Sequence, residues 1–268
     1  MNAPNAKERL PATANEQRGT MNKTYASVNI LGVRVHNITL HDTLSYLKEM
    51  ALSDTSNHIV TTNPEFIMLA QHNQEFRTVL NHAALSLPDG IGVVWAARWL
   101  GEPIRERVTG IDMVKQLATA ARESGLSMFL LGAAPGIAER AAERLQCENP
   151  GLVIAGTHSG TPSVEEEKGI CERIKNVNPH ILLVAYGAPK QDLWIHRNLP
   201  KLKVPIAIGI GGTFDFIAGI TLRAPRWMQA LGIEWFHRLV REPHRWKRML
   251  VLPQFAGAVV QMKLLDHH

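Results

Sequence analysis

From residue 30 onward the chain alternates short β-rich apolar runs with stretches of helical period. Runs at 30–35, 58–62, 85–87, 128–131, 152–156, 181–186 and 205–210 read as strands. Segments 39–51, 64–70, 91–100, 112–124, 136–146, 164–176 and 190–199 read as helices. Strands separated by single helices cannot pair as hairpins, so they pair in parallel and need helices on both faces of one sheet. The local chemistry agrees. Thr39 is placed to cap a helix with Asp42 three residues on, Asn63 precedes a first-turn proline, and Gly125 closes a helix. The chain reads as α/β.

The two ends depart from that pattern. Residues 1–24 are rich in Asn, Ala, Thr and charge, with no apolar core and no cleavage-site logic. They read as a disordered leader rather than a signal peptide, with Met21 as an alternative start. Near Thr221 the strands stop and an Arg-, Trp- and His-rich helical tail begins, giving a leader (1–24), a body (25–220) and an appendage (221–268). Lys and Arg number 29 against 24 Asp and Glu. Eight of the basic residues but only three of the acidic ones lie from 221 on, so the whole excess is in the tail. A neutral body with a basic tail points to a localised anionic partner: nucleic acid, phosphate groups or a membrane surface.

Several chemistries are excluded by inspection. No apolar run approaches the length that spans a bilayer. Cys147 and Cys171 form no CxxC pair, which removes a disulfide framework or zinc ribbon and makes a reducing cytoplasm the expected compartment. There is no P-loop, no HExxH and no GxSxG. The nearest dinucleotide fingerprint, Gly209-Ile210-Gly211-Gly212-Thr213-Phe214, has Phe where the third glycine belongs, so no nicotinamide cofactor is expected. Nor is there any Asp-x-Asp pair to grip a diphosphate through a metal.

Five loops remain, each just past a strand: Thr61-Thr62-Asn63-Pro64-Glu65, Leu87-Pro88-Asp89-Gly90, Gly132-Ala133-Ala134-Pro135-Gly136, Gly187-Ala188-Pro189-Lys190-Gln191, and 209–215. Open parallel sheets bind ligands at those ends, where glycines and helix N-termini accept phosphate. Any one loop is adequately explained as a tight turn, and Asp89 alone reads as turn chemistry. Five loops carrying Asn, Asp, Gln and Thr at one edge read as a site. Asp215 is either an N-cap or a ligand contact. In the tail, Trp227, Leu231, Trp235 and Leu239 recur every four residues with Met228, Phe236 and Val240 beside them, an apolar stripe flanked by arginines. Pro243 should break this face into two helices. The stripe suits a membrane interface, packing on the body, or a homo-oligomeric contact.

Taken together these motifs are identifiable. Thr61-Thr62-Asn63-Pro64-Glu65, Leu87-Pro88-Asp89-Gly90-Ile91-Gly92 and Glu106-Arg107-Val108-Thr109-Gly110-Ile111-Asp112 resemble the WecG/TagA/CpsF family of glycosyltransferases. Gly187-Ala188-Pro189-Lys190-Gln191, Gly211-Gly212-Thr213-Phe214-Asp215, Arg223-Ala224-Pro225, Glu234-Trp235 with Arg238, and Glu242-Pro243 with Arg245 and Arg248 continue the match in family order, from about residue 30 to 255. The resemblance implies a Rossmann-like body with a C-terminal helical appendage. It implies an inverting transferase that moves a sugar, often N-acetylmannosamine, from a UDP-sugar to a polyprenyl-diphosphate-linked sugar.

It further implies Asp89 as the general base, with Thr61 and Asn63 in the sugar pocket beside it. Arg107 and Gln191 would hold substrate, and Asp215 would face the nucleotide; Gly132 is a substrate-binding candidate from its strand-end loop alone. Arg238, Arg245 and Arg248 would bind the diphosphate. Thr161 stands where many members carry an aromatic residue. Elementary chemistry suits these roles: the incoming hydroxyl must lose a proton and the departing diphosphate must be stabilised. Without paired metal ligands, arginines would supply the charge, because they stay cationic and fork onto phosphate oxygens. The expectation is thus a metal- and cofactor-independent enzyme of surface-polysaccharide synthesis, docked by its tail on the cytoplasmic face of the membrane, without a nucleic-acid partner. UDP-glucose or a uronic-acid donor is the alternative within enzymes. A nucleotide-binding regulator, or a nucleic-acid binder using the tail, is the alternative outside them.

Overall fold

The computed structural model describes residues 25–243 and 246–265, leaving aside the side chains of residues 247 and 248. The leader expected at 1–24 lies outside the described residues. Strands β1 (Ser27–Ile30) and β2 (Val33–His36) form an antiparallel hairpin. One strand was expected over 30–35. Leu31 and Gly32 both adopt positive φ, 51° and 80°, and two consecutive left-handed residues make the tight turn that a right-twisted hairpin requires.

The alternating pattern then follows: α1 (Leu40–Ala51), β3 (Asn57–Thr62), α2 (Pro64–His72), α3 (Gln74–His82), β4 (Leu85–Pro88), α4 (Ile91–Leu100), α5 (Gly110–Glu123), β5 (Ser127–Gly132), α6 (Ile137–Glu148), β6 (Val153–His158), α7 (Val164–Val177), β7 (Ile181–Ala185), α8 (Lys190–Leu202) and β8 (Ile206–Gly209). Thr39 and Asn63 accept hydrogen bonds from the N–H groups of Asp42 and Phe66, as N-caps do. Between β3 and β4 there are two helices rather than one, because Asn73 caps a second.

Strands β3 to β8 pair in parallel in the order β4-β3-β8-β7-β5-β6. Except at the edge strand β6, the sheet is buried on both faces. In β7, Ile181 and Leu183 pack into the core on one side while Leu182 and Val184 pack into the core on the other. Such strands read as continuous apolar runs, which is why they stand out in the sequence.

Beyond the sheet come α9 (Thr213–Ile217), α10 (Arg226–Ala230), α11 (Glu234–Arg241), α12 (Trp246–Met249) and α13 (Val251–Leu265). The apolar stripe expected on one helix is split. Gly232, at φ 72°, turns the chain between α10 and α11, and its backbone packs against Ile91 so closely that a Cβ would meet that side chain at 2.7 Å. Met228 is buried, whereas Trp227, Phe236 and Val240 remain exposed. The break ahead of Pro243 is present. Helix α13 returns to the body: Phe255 and Val259 are buried with Phe66 of α2 and Val93 of α4. No helix among the described residues is long and apolar enough to cross a membrane.

Candidate active site

The carboxyl ends of β3, β4, β7 and β8 open into a cavity of about 530 Å³ that the first half of the tail roofs over. Thr61 and Asn63 enter it from β3, Asp89 from β4, Tyr186 and Gly187 from β7, and Gly211, Gly212, Thr213 and Asp215 from β8. Arg107 and Gly110 line it ahead of and at the start of α5, and Arg223, Glu234, Trp235 and Arg238 close it from the tail. This is the crevice at strand ends that parallel sheets offer to ligands.

Asp89 is fixed by its backbone. Its N–H donates to the Thr62 carbonyl at 2.8 Å, and the Val108 N–H donates to the Pro88 carbonyl at 2.9 Å. The first ties the Asp89 turn to β3, and the second brings the segment carrying Arg107 and Gly110 alongside it. Burial pushes that carboxyl up to about 7, with Glu234 and Asp112 acting in the same direction. Arg107 and the Gly110 N–H oppose the rise. A carboxylate that ionises near neutrality can both take a proton and release it.

The other expected site residues divide into two groups. Thr61 is buried and its hydroxyl donates to the Gly209 carbonyl at 3.0 Å, so it ties β3 to β8 at the cavity floor. Asn63 lines the cavity while its Oδ1 caps α2, accepting from Phe66 N–H at 3.1 Å. Asp215 and Arg238 face each other across Gly212: a Cβ there would meet Arg238 Nη2 at 3.4 Å and Asp215 Oδ2 at 3.5 Å. Arg238 also lies over the Phe216 ring, 5.1 Å from its centre.

Gln191 and Gly132 do not line the cavity. Gln191 is 0% exposed, and its Oε1 accepts the N–H groups of Gly187 at 3.1 Å and Gly211 at 2.9 Å. It therefore shapes two cavity loops from beneath rather than touching their contents. Gly132, at φ 97°, sits where a Cβ would meet the Ala185 backbone at 2.9 Å, so it serves close packing of β5 on β7. Thr161 bonds Glu166 through both its N–H and its hydroxyl, away from the cavity. Arg245 and the side chain of Arg248 lie outside the described residues.

Glu234, Arg223 and Asp112 belong to the site although none was singled out as a site residue from sequence. Glu234 binds Arg107 at 3.0 Å and Arg223 at 3.2 Å, and Arg223 grips Asp112. Their signal lay in spacing no periodicity reveals: a charge at the start of α5 meets one 111 residues later. Among the described residues no three His, Cys, Asp or Glu side chains converge as metal ligands. Among the described residues, the Lys and Arg side chains that line the cavity are Arg107, Arg223 and Arg238.

A family model for the glycosyl transferase WecG/TagA/CpsF family matches residues 28–268. Among similar proteins are three named N-acetylglucosaminyldiphosphoundecaprenol N-acetyl-beta-D-mannosaminyltransferase. The one from Bacillus spizizenii is 35% identical over 76% of this chain and 78% of its own. That from Bacillus subtilis is 33% identical over 85% and 90%, and that from Staphylococcus aureus strain MW2 is 32% identical over 89% and 94%.

Proposed function

The chain belongs to the WecG/TagA/CpsF family of glycosyl transferases, and we propose that it moves N-acetylmannosamine from a UDP-sugar to a polyprenyl-diphosphate-linked sugar. The observation that carries this reading is the cavity itself, which brings the Asp89 carboxyl into one space with Arg107, Arg223 and Arg238 at the strand ends. The relatives' names, which specify a mannosaminyl group and a diphosphoundecaprenol acceptor, support the choice of both substrates.

Asp89 takes the proton from the acceptor hydroxyl as its oxygen attacks the anomeric carbon. The bond from that carbon to the UDP oxygen breaks on the opposite face, so configuration inverts. The leaving diphosphate gains negative charge, which Arg238, with Arg245 and Arg248 of the tail, offsets without a metal. Thr61 and Asn63 shape the sugar pocket, and Asp215 faces the nucleotide. Gln191 holds the loops of Gly187 and Gly211 to this geometry. The tail docks on the cytoplasmic face of the membrane: Trp227, Phe236 and Trp246 are exposed beside arginines, the composition that settles at a lipid interface.

A screen of UDP-sugars for turnover against a synthetic lipid-diphosphate-linked N-acetylglucosamine tests the reading. Transfer from UDP-N-acetylmannosamine above all other donors is expected. Preference for UDP-glucose or a UDP-uronic acid would overturn the donor assignment, and no transfer from any donor would overturn the reaction.

A further inference from the structure

Glu234 stands where the tail meets the base. Its Oε2 binds Arg107 Nη1 at 3.0 Å and its Oε1 binds Arg223 Nε at 3.2 Å, so one carboxylate spans two guanidinium groups. Each arginine has a second anchor across the divide between body and tail. Arg107, from the body, donates through Nη2 to the Gln229 carbonyl of α10 at 3.1 Å. Arg223, from the tail, holds Asp112 of α5. A body side chain thus grips tail backbone, a tail side chain grips a body carboxylate, and Glu234 joins the two.

An exposed ion pair contributes little, but this one is built differently. Arg107 and Glu234 are only 19% and 24% exposed, and the charges form a chain of four. Shared, partly buried, charge-assisted hydrogen bonds fix geometry as well as energy.

We propose that Glu234 is a positioning residue that fastens the tail over Asp89 and sets where Arg107 stands beside that carboxylate. The inference deepens the proposed function and rests on Asp89 as the base. The charged groups that act on Asp89 are Arg107 from the loop ahead of α5, Glu234 from α11 and Asp112 from α5. Glu65 of α2, Asp215 of α9, and His237 and Arg238 of α11 face the same cavity. Removing the Glu234 charge has two separable consequences. Arg107 and the tail lose their shared anchor, and Asp89 loses a repelling charge, so it ionises at lower pH.

The test uses the full chain with Glu234→Gln and Glu234→Asp. Two quantities are measured: the pH profile of kcat/KM, and the titration of Asp89 by NMR in protein labelled at the aspartate carboxyl carbon. The Asp89 signal is assigned by its absence in Asp89→Asn. For Glu234→Gln, kcat/KM should fall roughly 10- to 100-fold, the scale of a small misplacement in a catalytic constellation, while the Asp89 midpoint moves to lower pH. Glu234→Asp keeps the charge but is too short to span both arginines, so it should lose rate while its midpoint falls less than that of Glu234→Gln. An unmoved midpoint in Glu234→Gln, or wild-type rate in Glu234→Asp, would overturn the proposal. The Asp variant stands alone should the Gln variant fail to fold. Because the titration needs no turnover, it reads Glu234's role even in a chain that transfers no sugar, which would fail the functional reading separately.

Discussion

Arg223 holds Asp112 through both carboxylate oxygens, Nη1 to Oδ1 at 2.5 Å and Nη2 to Oδ2 at 2.7 Å, across 111 residues of sequence. The Thr109 hydroxyl donates to the same carboxylate at 2.6 Å. Burial works against ionisation here, yet the bonds from Arg223 and Thr109 hold the Asp112 carboxyl below its usual range. Reciprocally, the bond to Asp112 raises Arg223 above its ordinary value. The pair joins the start of the tail to the first turn of α5, two residues on from the Gly110 N–H that bonds Asp89.

A chain ending at Leu222 loses this pair, the roof of the cavity and the exposed aromatics of the tail. It is expected to show little transferase activity and no longer to pellet with anionic liposomes. It also uncovers the surface on α2 and α4 where Phe255 and Val259 pack, so it should self-associate in size-exclusion chromatography. Full activity on a lipid-linked acceptor contradicts the role of the tail, and liposome binding without activity contradicts only its docking.

Two glycines should respond in opposite directions. Gly132→Ala places a Cβ against the Ala185 backbone at a positive φ and is expected to destabilise the fold by about 1–3 kcal/mol. Gly169→Ala sits in the exposed interior of α7 with no atom near its new Cβ, and should stabilise by about 0.5–1 kcal/mol. Urea unfolding midpoints of the two variants check both signs.

Two desolvated groups, the buried His36 and the half-buried Asp89, give the stability a pH signature. Burial first, and then Arg34, lowers His36 from 6.5 to about 4. Its neutral Nδ1 accepts the Ser86 N–H at 2.9 Å, fixing the hairpin to β4. The unfolded chain takes up the proton first, so this contribution is complete above 6.5 and lost as pH falls toward 4. Asp89 runs the other way: raised from 3.8 to about 7, it favours the folded state at low pH and opposes it as pH rises through 7. Asp89→Asn should therefore be more stable than wild type at pH 8, with the gain shrinking toward pH 4. Urea titrations across that range test it, and a gain that grows on acidification contradicts the assignment.

Much of this architecture is legible in the sequence because most of the sheet strands are buried on both faces. Runs such as Ile181–Ala185 have no polar face to disguise them. Caps at Thr39 and Asn63 are local chemistry, and they too are readable. What escapes is non-local. The Leu31-Gly32 turn hides inside one β-rich run, and Gly232 divides a stripe that keeps a helical period straight through it. The site divides the same way. Asp89 alone reads as a turn residue and stands out only through the five strand-end loops taken together and the family resemblance, whereas Gln191 carries the right residue type but points beneath the cavity. Glu234 matters through two arginines, one of them 127 positions earlier in the chain and neither signalled by local spacing.

The arginine account of leaving-group stabilisation is tested by chelation. Activity is expected to survive exhaustive EDTA treatment, since the chain offers no Asp-x-Asp pair and its tail carries the surplus of arginines. Loss of activity that returns with Mg²⁺ or Mn²⁺ contradicts it.

The most direct test of the account is the turnover of Asp89→Asn measured beside its UDP-sugar binding. The amide keeps the shape and hydrogen-bonding reach of the carboxyl but cannot accept the acceptor's proton. Turnover should fall by roughly 10²–10⁴-fold, the usual contribution of a general base, while calorimetric affinity for the UDP-sugar stays near wild type. Near-normal turnover of the folded variant would contradict the assignment and leave Asp89 as a residue of the turn.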